Sequence, residues 1–384
     1  MIYLDNNATT APALEVFQAM EPYLRENYGN PSSLYPLGQQ ARHAIEEARY
    51  SVAELLGCAI SEVVFTSGGT EADNAAICGT LFARPDKRTV VTTAVEHSAV
   101  RETLHAWAKR GITVMEVPVN HLGHLDMGRF EDAVREPDVA LATVMWANNE
   151  TGVIFDIAAI ALICQKYGVP LHVDAVQVAG KLPMALRDLP LSMASISGHK
   201  FHGPKGVGVL YVRRKTLWTP YLTGGPQERD RRGGTENVAG IVGMGCAARI
   251  AQERLKLPGS QAQIRTLRDL LEKTIIRTVT DAHVNGDPQN RLNNTSNIGF
   301  ASLEAEAILL LLAQRDIFAS AGAACSSGSL EPSPVLRSMG IPERIAHGSV
   351  RFSLSADNTA DEMTAVADAL VSVIGRLRET LPVR

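Results

Sequence analysis

From about Val63 to Val212 the chain repeats one unit: a short apolar run, a polar turn, then a helical pattern. Val63–Thr66, Thr89–Thr93, Thr113–Val117, Ala140–Trp146, Leu171–Val173, Met193–Ile196 and Gly206–Val212 read as strands. Helical periodicity lies between most of them, as in Glu71–Arg84, Ser98–Arg110 and Asp156–Tyr167. The last two end at Gly111 and Gly168, the residue type that stops a helix by turning left-handed. Strands that alternate with helices need right-handed crossovers, which gives an α/β fold with a mostly parallel central sheet and helices on both faces. Near Ile250–Gln263 the pattern changes. A charged helix over Gln261–Val279, strands at Thr295–Phe300 and Ser349–Leu354, and helices at Glu304–Gln314 and Asp361–Leu381 predict a smaller α+β domain.

Composition narrows the function classes. The 384 residues are 45% hydrophobic and 20% charged, with a net charge of −4, so the chain as a whole is not built to attract nucleic acid or an anionic membrane. No apolar run reaches the roughly 18 residues of a membrane span, and Met1–Asp5 lacks the basic-then-apolar order of a signal peptide. Cys58, Cys78, Cys164, Cys246 and Cys325 are odd in number and never spaced C-x-x-C. That argues against a disulfide framework and for a reducing, cytoplasmic setting. The pairs His121/His124 and His199/His202 have no evident carboxylate or cysteine partner nearby, so no metal site is expected.

In an open parallel sheet, ligands bind beyond the C-terminal strand ends, and the unusual polar residues fall there repeatedly. Ser67-Gly68-Gly69-Thr70 enters a helix, which suits a phosphate as well as an ordinary N-capped turn. Glu96-His97-Ser98 follows the second strand, and Asn148-Asn149-Glu150-Thr151-Gly152 follows another. Asp174 and Gln177 follow Leu171-His172-Val173; an acid there is costly unless paired, either in a salt bridge or with a pyridinium N–H. Ser197, His199 and Lys200 close the series, with Lys200 a single amine among small residues. Each cluster alone has a structural explanation. Together they are the residue types that pyridoxal 5′-phosphate needs: a phosphate cradle, a histidine, an acid for the ring nitrogen and a lysine amine.

The motifs Leu4-Asp5-Asn6-Asn7-Ala8-Thr9-Thr10, Gly29-Asn30-Pro31-Ser32-Ser33, Thr66–Asn74, Asn148–Gly152, His172–Gln177 and Ser197–Lys200 resemble those of class V, fold-type I pyridoxal-phosphate transferases, specifically cysteine desulfurases of the NifS/IscS type. The resemblance covers nearly the whole chain. It implies that Lys200 bonds the cofactor and moves the substrate Cα proton, that Asp174 pairs with the ring nitrogen, and that Gln177 bonds the phenolic oxygen. It also implies that His97 stacks on the ring and moves protons, that Thr70, Ser197 and His199 hold the phosphate, and that Thr235 does so from a partner subunit of a homodimer. Asn149 and Arg351 match substrate-carboxylate contacts, and the planar fork of arginine suits that task. The large cofactor-binding domain is expected over 12–255, with 1–11 and 256–384 forming the smaller one.

Cys325 lies in a run of small residues, Ser320–Ser329, unlike the apolar or helical contexts of the other four cysteines. The resemblance places a persulfide-forming cysteine here, in a loop of the NifS/IscS form rather than the SufS form, although Ala321 and Ala323 replace common serines. It implies a desulfurase that converts L-cysteine to L-alanine and passes sulfur to an iron–sulfur scaffold or another acceptor protein. The chain stops soon after Arg378, without the longer tail of IscS-type enzymes, which tilts the resemblance to the NifS type and to nitrogen fixation or general iron–sulfur assembly. A selenocysteine lyase or an aminotransferase of the same class would share Lys200 and Asp174 without needing the Cys325 loop.

Overall fold

The computed structural model describes residues 1–321 and 331–380. Among these, seven strands form the main sheet in the order Val63–Thr66, Gly208–Val212, Met193–Ser197, Leu171–Asp174, Val139–Met145, Thr89–Thr93, Thr113–Val117. Gly208–Val212 runs antiparallel to both neighbours, and the other pairings are parallel. Six strands therefore point the same way. Six of the seven are buried along their whole length: Val63–Thr66, Thr89–Thr93, Val139–Met145, Leu171–Asp174, Met193–Ser197 and Gly208–Val212. Such strands read as continuous apolar runs because helices cover both sheet faces. One face packs Ala72, Ala76 and Ile77 of helix Gly69–Ala83 against Val64, Val90, Leu141 and Leu210. The opposite face packs Val91, Val144, Val173 and Ile196 with Val52, Ile241 and Met244.

The strands start and stop within about two residues of their expected bounds, and Gly111 and Gly168 do take positive φ, +89° and +68°. Three long helices escape the linear pattern: Leu14–Arg25, Pro36–Leu56 and Val238–Lys256. The last is rich in glycine, which on propensity alone argues against a helix. Tertiary contact overrides that: a Cβ at Gly245 would sit 2.5 Å from the Ala48 Cα, so glycine is what lets the second and third of these helices touch.

A second core forms around the antiparallel sheet Ser320–Ala321, Ser349–Ser353, Thr295–Phe300, Ala282–Val284. Ile298, Phe300, Val350 and Phe352 pack there with Leu271, Ile275, Met363 and Leu370, from helices Ser260–Thr278 and Ala360–Thr380. The N-terminus belongs to this core. Ile2–Tyr3 pairs with Ile317–Phe318, Leu4 is fully buried, and Asp5 bridges to Ser353. The chain then crosses to the main sheet, where the Thr10 amide and hydroxyl both donate to the His199 carbonyl. No helix among the described residues is long and apolar enough to cross a membrane.

One buried ion pair anchors the turn that precedes Thr235. Arg49 donates from both terminal nitrogens to Glu228, each at 2.7 Å, and Glu228 also accepts the Phe65 amide at 2.9 Å. Removing one member strands the other charge in a dry site. Glu228→Ala is expected to lower stability by ~3–5 kcal/mol in urea unfolding, whereas Glu131→Ala at the exposed Lys166 pair should change it by less than about 1 kcal/mol.

Candidate active site

Because six strands share a direction, their C-terminal turns meet at one sheet edge, over a cavity of about 510 Å³. Thr70, His97, Asn149, Asp174, Gln177, Ser197, His199, Lys200 and Arg351 all line it. Thr235 does not: it is exposed, two residues beyond the Gly233 that meets Gly224. Cys325 lies outside the described residues. The chain on either side of it is close to the cavity, since Ser320 pairs with Arg351 and Pro334 and Val335 line the wall.

Lys200 ends a short 3₁₀ turn, Gly198–Lys200, directly after its strand. Its amine donates to the carbonyls of Asn7, at 2.7 Å, and Ala8, at 2.8 Å. Asp174 is the last residue of its strand, with one carboxylate oxygen accepting the Val176 amide at 3.0 Å. Burial raises its pKa, opposed by the Val176 amide and the nearby Lys200 charge. His97 caps helix Ser98–Ala108 by accepting the Ala99 amide on Nδ1 at 3.1 Å. Its proton therefore resides on Nε2. His199 contacts the Thr9 hydroxyl through Nδ1 at 3.1 Å, and burial with Lys200 and Lys205 nearby lowers its pKa to about 4, so it is neutral.

Arg351 is 2% exposed, in strand Ser349–Ser353. It donates to the Asn149 carbonyl at 3.0 Å and to Asp5 at 2.6 Å, while its Nε has no partner. Three further buried acids crowd the cavity. Burial, with Asp174 nearby, pushes Asp73 well above the carboxylate range. Glu150 is also raised by burial, opposed by the Ser333 hydroxyl that donates to it at 2.5 Å. Glu96 accepts Thr93 at 2.6 Å and the Met145 amide at 2.9 Å on one oxygen, and its other oxygen is unpaired.

Several residues at this site were not singled out by the linear pattern. Asn7 is the most heavily used. Its amide donates to Ser353, its carbonyl accepts Gln177 and Lys200, and its side chain engages Lys181, Asn294, Asn149 and Thr295. The available signal was position: Asp5-Asn6-Asn7 follows a short apolar strand, just as the other clusters do. Lys181 and Asp73 gave no such signal, since each sits within a turn or a helix.

These residues fit pyridoxal phosphate. A Cβ on Gly69 would meet the Val176 side chain at 2.9 Å and that of Ser197 at 3.6 Å, so only glycine keeps the turn beside the strand ends open as a cradle. Thr70, Ser197 and His199 would hold the phosphate there. Asp174, an acid buried at cost, is suited to a cationic ring nitrogen, and the unpartnered Arg351 Nε to an anion.

Comparison with known proteins places these features in context. A family model described as aminotransferase class-V matches residues 2–366. The cysteine desulfurase NifS of Azotobacter vinelandii is 48% identical over 382 residues, 99% of this chain and 94% of that protein. A solved NifS-like protein superposes with a TM-score of 0.91 at 36% identity, covering 98% of this chain and 100% of the other. SspA, solved in complex with cysteine, superposes with a TM-score of 0.82 at 32% identity over 94% of this chain and all of its own.

The site's electrostatics predict a pH dependence. Burial moves the Glu96 carboxyl from the ordinary 4.5 up to about 8. The folded protein thus binds this proton more tightly than the unfolded chain does. The stability tied to it is present below pH 4.5, is lost as the pH rises toward about 8, and changes no further above that. Glu96→Gln removes the titration. Melting of the cofactor-free variant should fall less steeply than wild type across that window, and parallel curves would refute the assignment.

Proposed function

The chain belongs to the class V aminotransferase family and, within it, to the NifS-type cysteine desulfurases; on that premise we propose that it takes sulfur from L-cysteine, releases L-alanine and carries the sulfur as a persulfide on Cys325. The observation that supports this most directly is the joint placement of Lys200, Asp174, His97 and Arg351 around one cavity, with the chain on both sides of the Cys325 segment beside it.

Members of this family depend on pyridoxal 5′-phosphate, which supplies an electron sink for the pair left at the substrate Cα. Arg351 binds the substrate carboxylate, using the Nε that now lacks a partner, and the Asn149 carbonyl and Asp5 hold the guanidinium plane still. Lys200, positioned by the Asn7 and Ala8 carbonyls, takes the Cα proton. Asp174 keeps a positive charge beside it favourable. The Cys325 thiolate attacks the substrate sulfur: an S–S bond forms, the C–S bond breaks, and the electron pair left on the substrate Cβ takes a proton; return of a proton to Cα from Lys200 then completes alanine. His97 begins as a donor, because its Nδ1 is committed to the Ala99 amide and its Nε2 bears the proton.

The wider setting follows from the same premise. A homodimer is favoured by two features. Thr235, matched to the phosphate, is exposed and away from the cavity, so a second copy is needed to bring one in. Leu14, Phe17, Leu24, Tyr28, Leu34 and Tyr35 also leave large apolar side chains in water. The two cores support a cofactor domain over 12–255 and a second domain made of 1–11 with 256–384. Cys58, Cys78 and Cys164 are free and buried, and burial raises each thiol, to about 12 for Cys58 and Cys164. Buried thiols with raised pKa are poor nucleophiles and suit a reducing cytoplasm. The persulfide sulfur would pass to an iron–sulfur scaffold or another acceptor protein, in nitrogenase supply or general cluster assembly.

Cys325→Ala is expected to keep the visible absorption of the bound cofactor while losing alanine release from L-cysteine, and mass spectrometry should find the trapped persulfide only on wild-type Cys325. Normal turnover by the variant would overturn the sulfur-transfer step. Amino transfer to a keto acid that outpaces alanine release would point to an aminotransferase instead.

A further inference from the structure

Lys181 is a second lysine at this site, and the chemistry above does not use it. Its amine donates to the side-chain oxygens of Gln177, at 2.7 Å, and Asn7, at 2.9 Å. Both acceptors are neutral amides, and both residues line the cavity. Gly180, the residue before it, takes φ +76°, and an added Cβ there would lie 2.7 Å from the Phe201 Cβ. A positive charge is disfavoured here by lost solvation and by neighbouring cations. Burial pushes its pKa well below the ordinary lysine range, and Lys200 and Arg351 push it the same way. A group held at that cost between two amides acts on them.

The two ends of a glutamine amide have nearly the same shape, so its partners decide which way it faces. An amine on Lys181 offers N–H groups to the Gln177 oxygen. The Asn7 carbonyl can only accept, and it takes one Gln177 Nε2 hydrogen at 3.0 Å. The two contacts fix the same orientation. They occupy the carbonyl end and leave the second Nε2 hydrogen as the polar group Gln177 still has to give.

We infer that Lys181 is a positioning residue whose clamp on the Gln177 oxygen makes glutamine present an N–H donor, rather than a carbonyl, to the negatively charged ring oxygen of pyridoxal phosphate. This rests on the assignment of Gln177 to that oxygen. With the amide reversed, a carbonyl oxygen would face the anion, and the amide N–H groups would face the N–H groups that Lys181 directs at them. Each is repulsive, so the clamp excludes the reversed state.

The test uses cofactor-free full-length protein titrated with pyridoxal 5′-phosphate, followed by a pH titration of the visible absorption of the lysine-bound cofactor. Lys181→Met should bind about tenfold more weakly, the scale of one hydrogen bond to a charged oxygen, and its absorption change should move to higher pH because the anionic ring oxygen is less well held. Lys181→Gln, which can still donate but carries no charge, should keep the wild-type midpoint. In a Gln177→Ala background, Lys181→Met should add nothing further. An equal Lys181→Met effect in both backgrounds would mean that the lysine acts as a charge and not through Gln177, which overturns the inference alone. A lower melting temperature with unchanged affinity and spectrum would assign it a merely structural role and overturn it as well. Wild-type affinity and spectrum in Gln177→Ala would overturn the underlying role of Gln177, and the inference with it.

Discussion

Parallel strand pairing is the constraint from which the rest follows. A backbone that hydrogen-bonds its strands in one direction must return through a helix each time, so every strand delivers its last residue to the same edge. Thr66, Thr93, Met145, Asp174 and Ser197 end their strands there, and the turns after them supply most of the cavity wall. The one reversed strand, Gly208–Val212, fits this plan because it separates Val63–Thr66 from Met193–Ser197 without changing the direction of either. The glycine turn at Gly68-Gly69 is thereby brought beside Ser197.

The sheet edge alone does not make the site. The wall opposite comes from the second core, through Arg351 and the N-terminal segment. Asn7 joins the two: its carbonyl receives Lys200 and Gln177 from the main sheet, while its amide and side chain reach Ser353, Thr295 and Asn294 from the other side. Every polar group of that residue is paired, which is what a buried junction requires.

Charge is concentrated at this junction at the expense of stability. Asp73, Glu96, Glu150 and Asp174 are buried with raised carboxyls, and two of them keep an oxygen without a partner. His172 does not relieve them. Burial lowers its pKa to about 3, so it stays neutral between Thr143 and Ser195 and forms no ion pair with Asp73 at 3.6 Å. Such groups are tolerated where a ligand's charge or proton completes them, and the cavity is where they gather. His124, by contrast, finds the carboxylate of Asp287 at 2.8 Å, a partner 163 positions away that nothing in its local sequence revealed.

Local pattern determined the strand order's raw material. Apolar period, glycine stops and polar residues at strand ends located the sheet, its direction and most of the cavity-lining residues, because those signals act over a few neighbouring positions. The glycine-rich helix Val238–Lys256 was hidden by the same logic, since its stability comes from contact with Ala48 and not from its own propensity. Lys181 and Asn7 were invisible as a pair, because one amide's orientation depends on a donor and an acceptor that are 174 positions apart. The sequence by itself determined which residues could do chemistry. Only the tertiary structure decided which of their hydrogen bonds are already spent, as a buried polar group's remaining capacity is set by partners that the fold brings from afar.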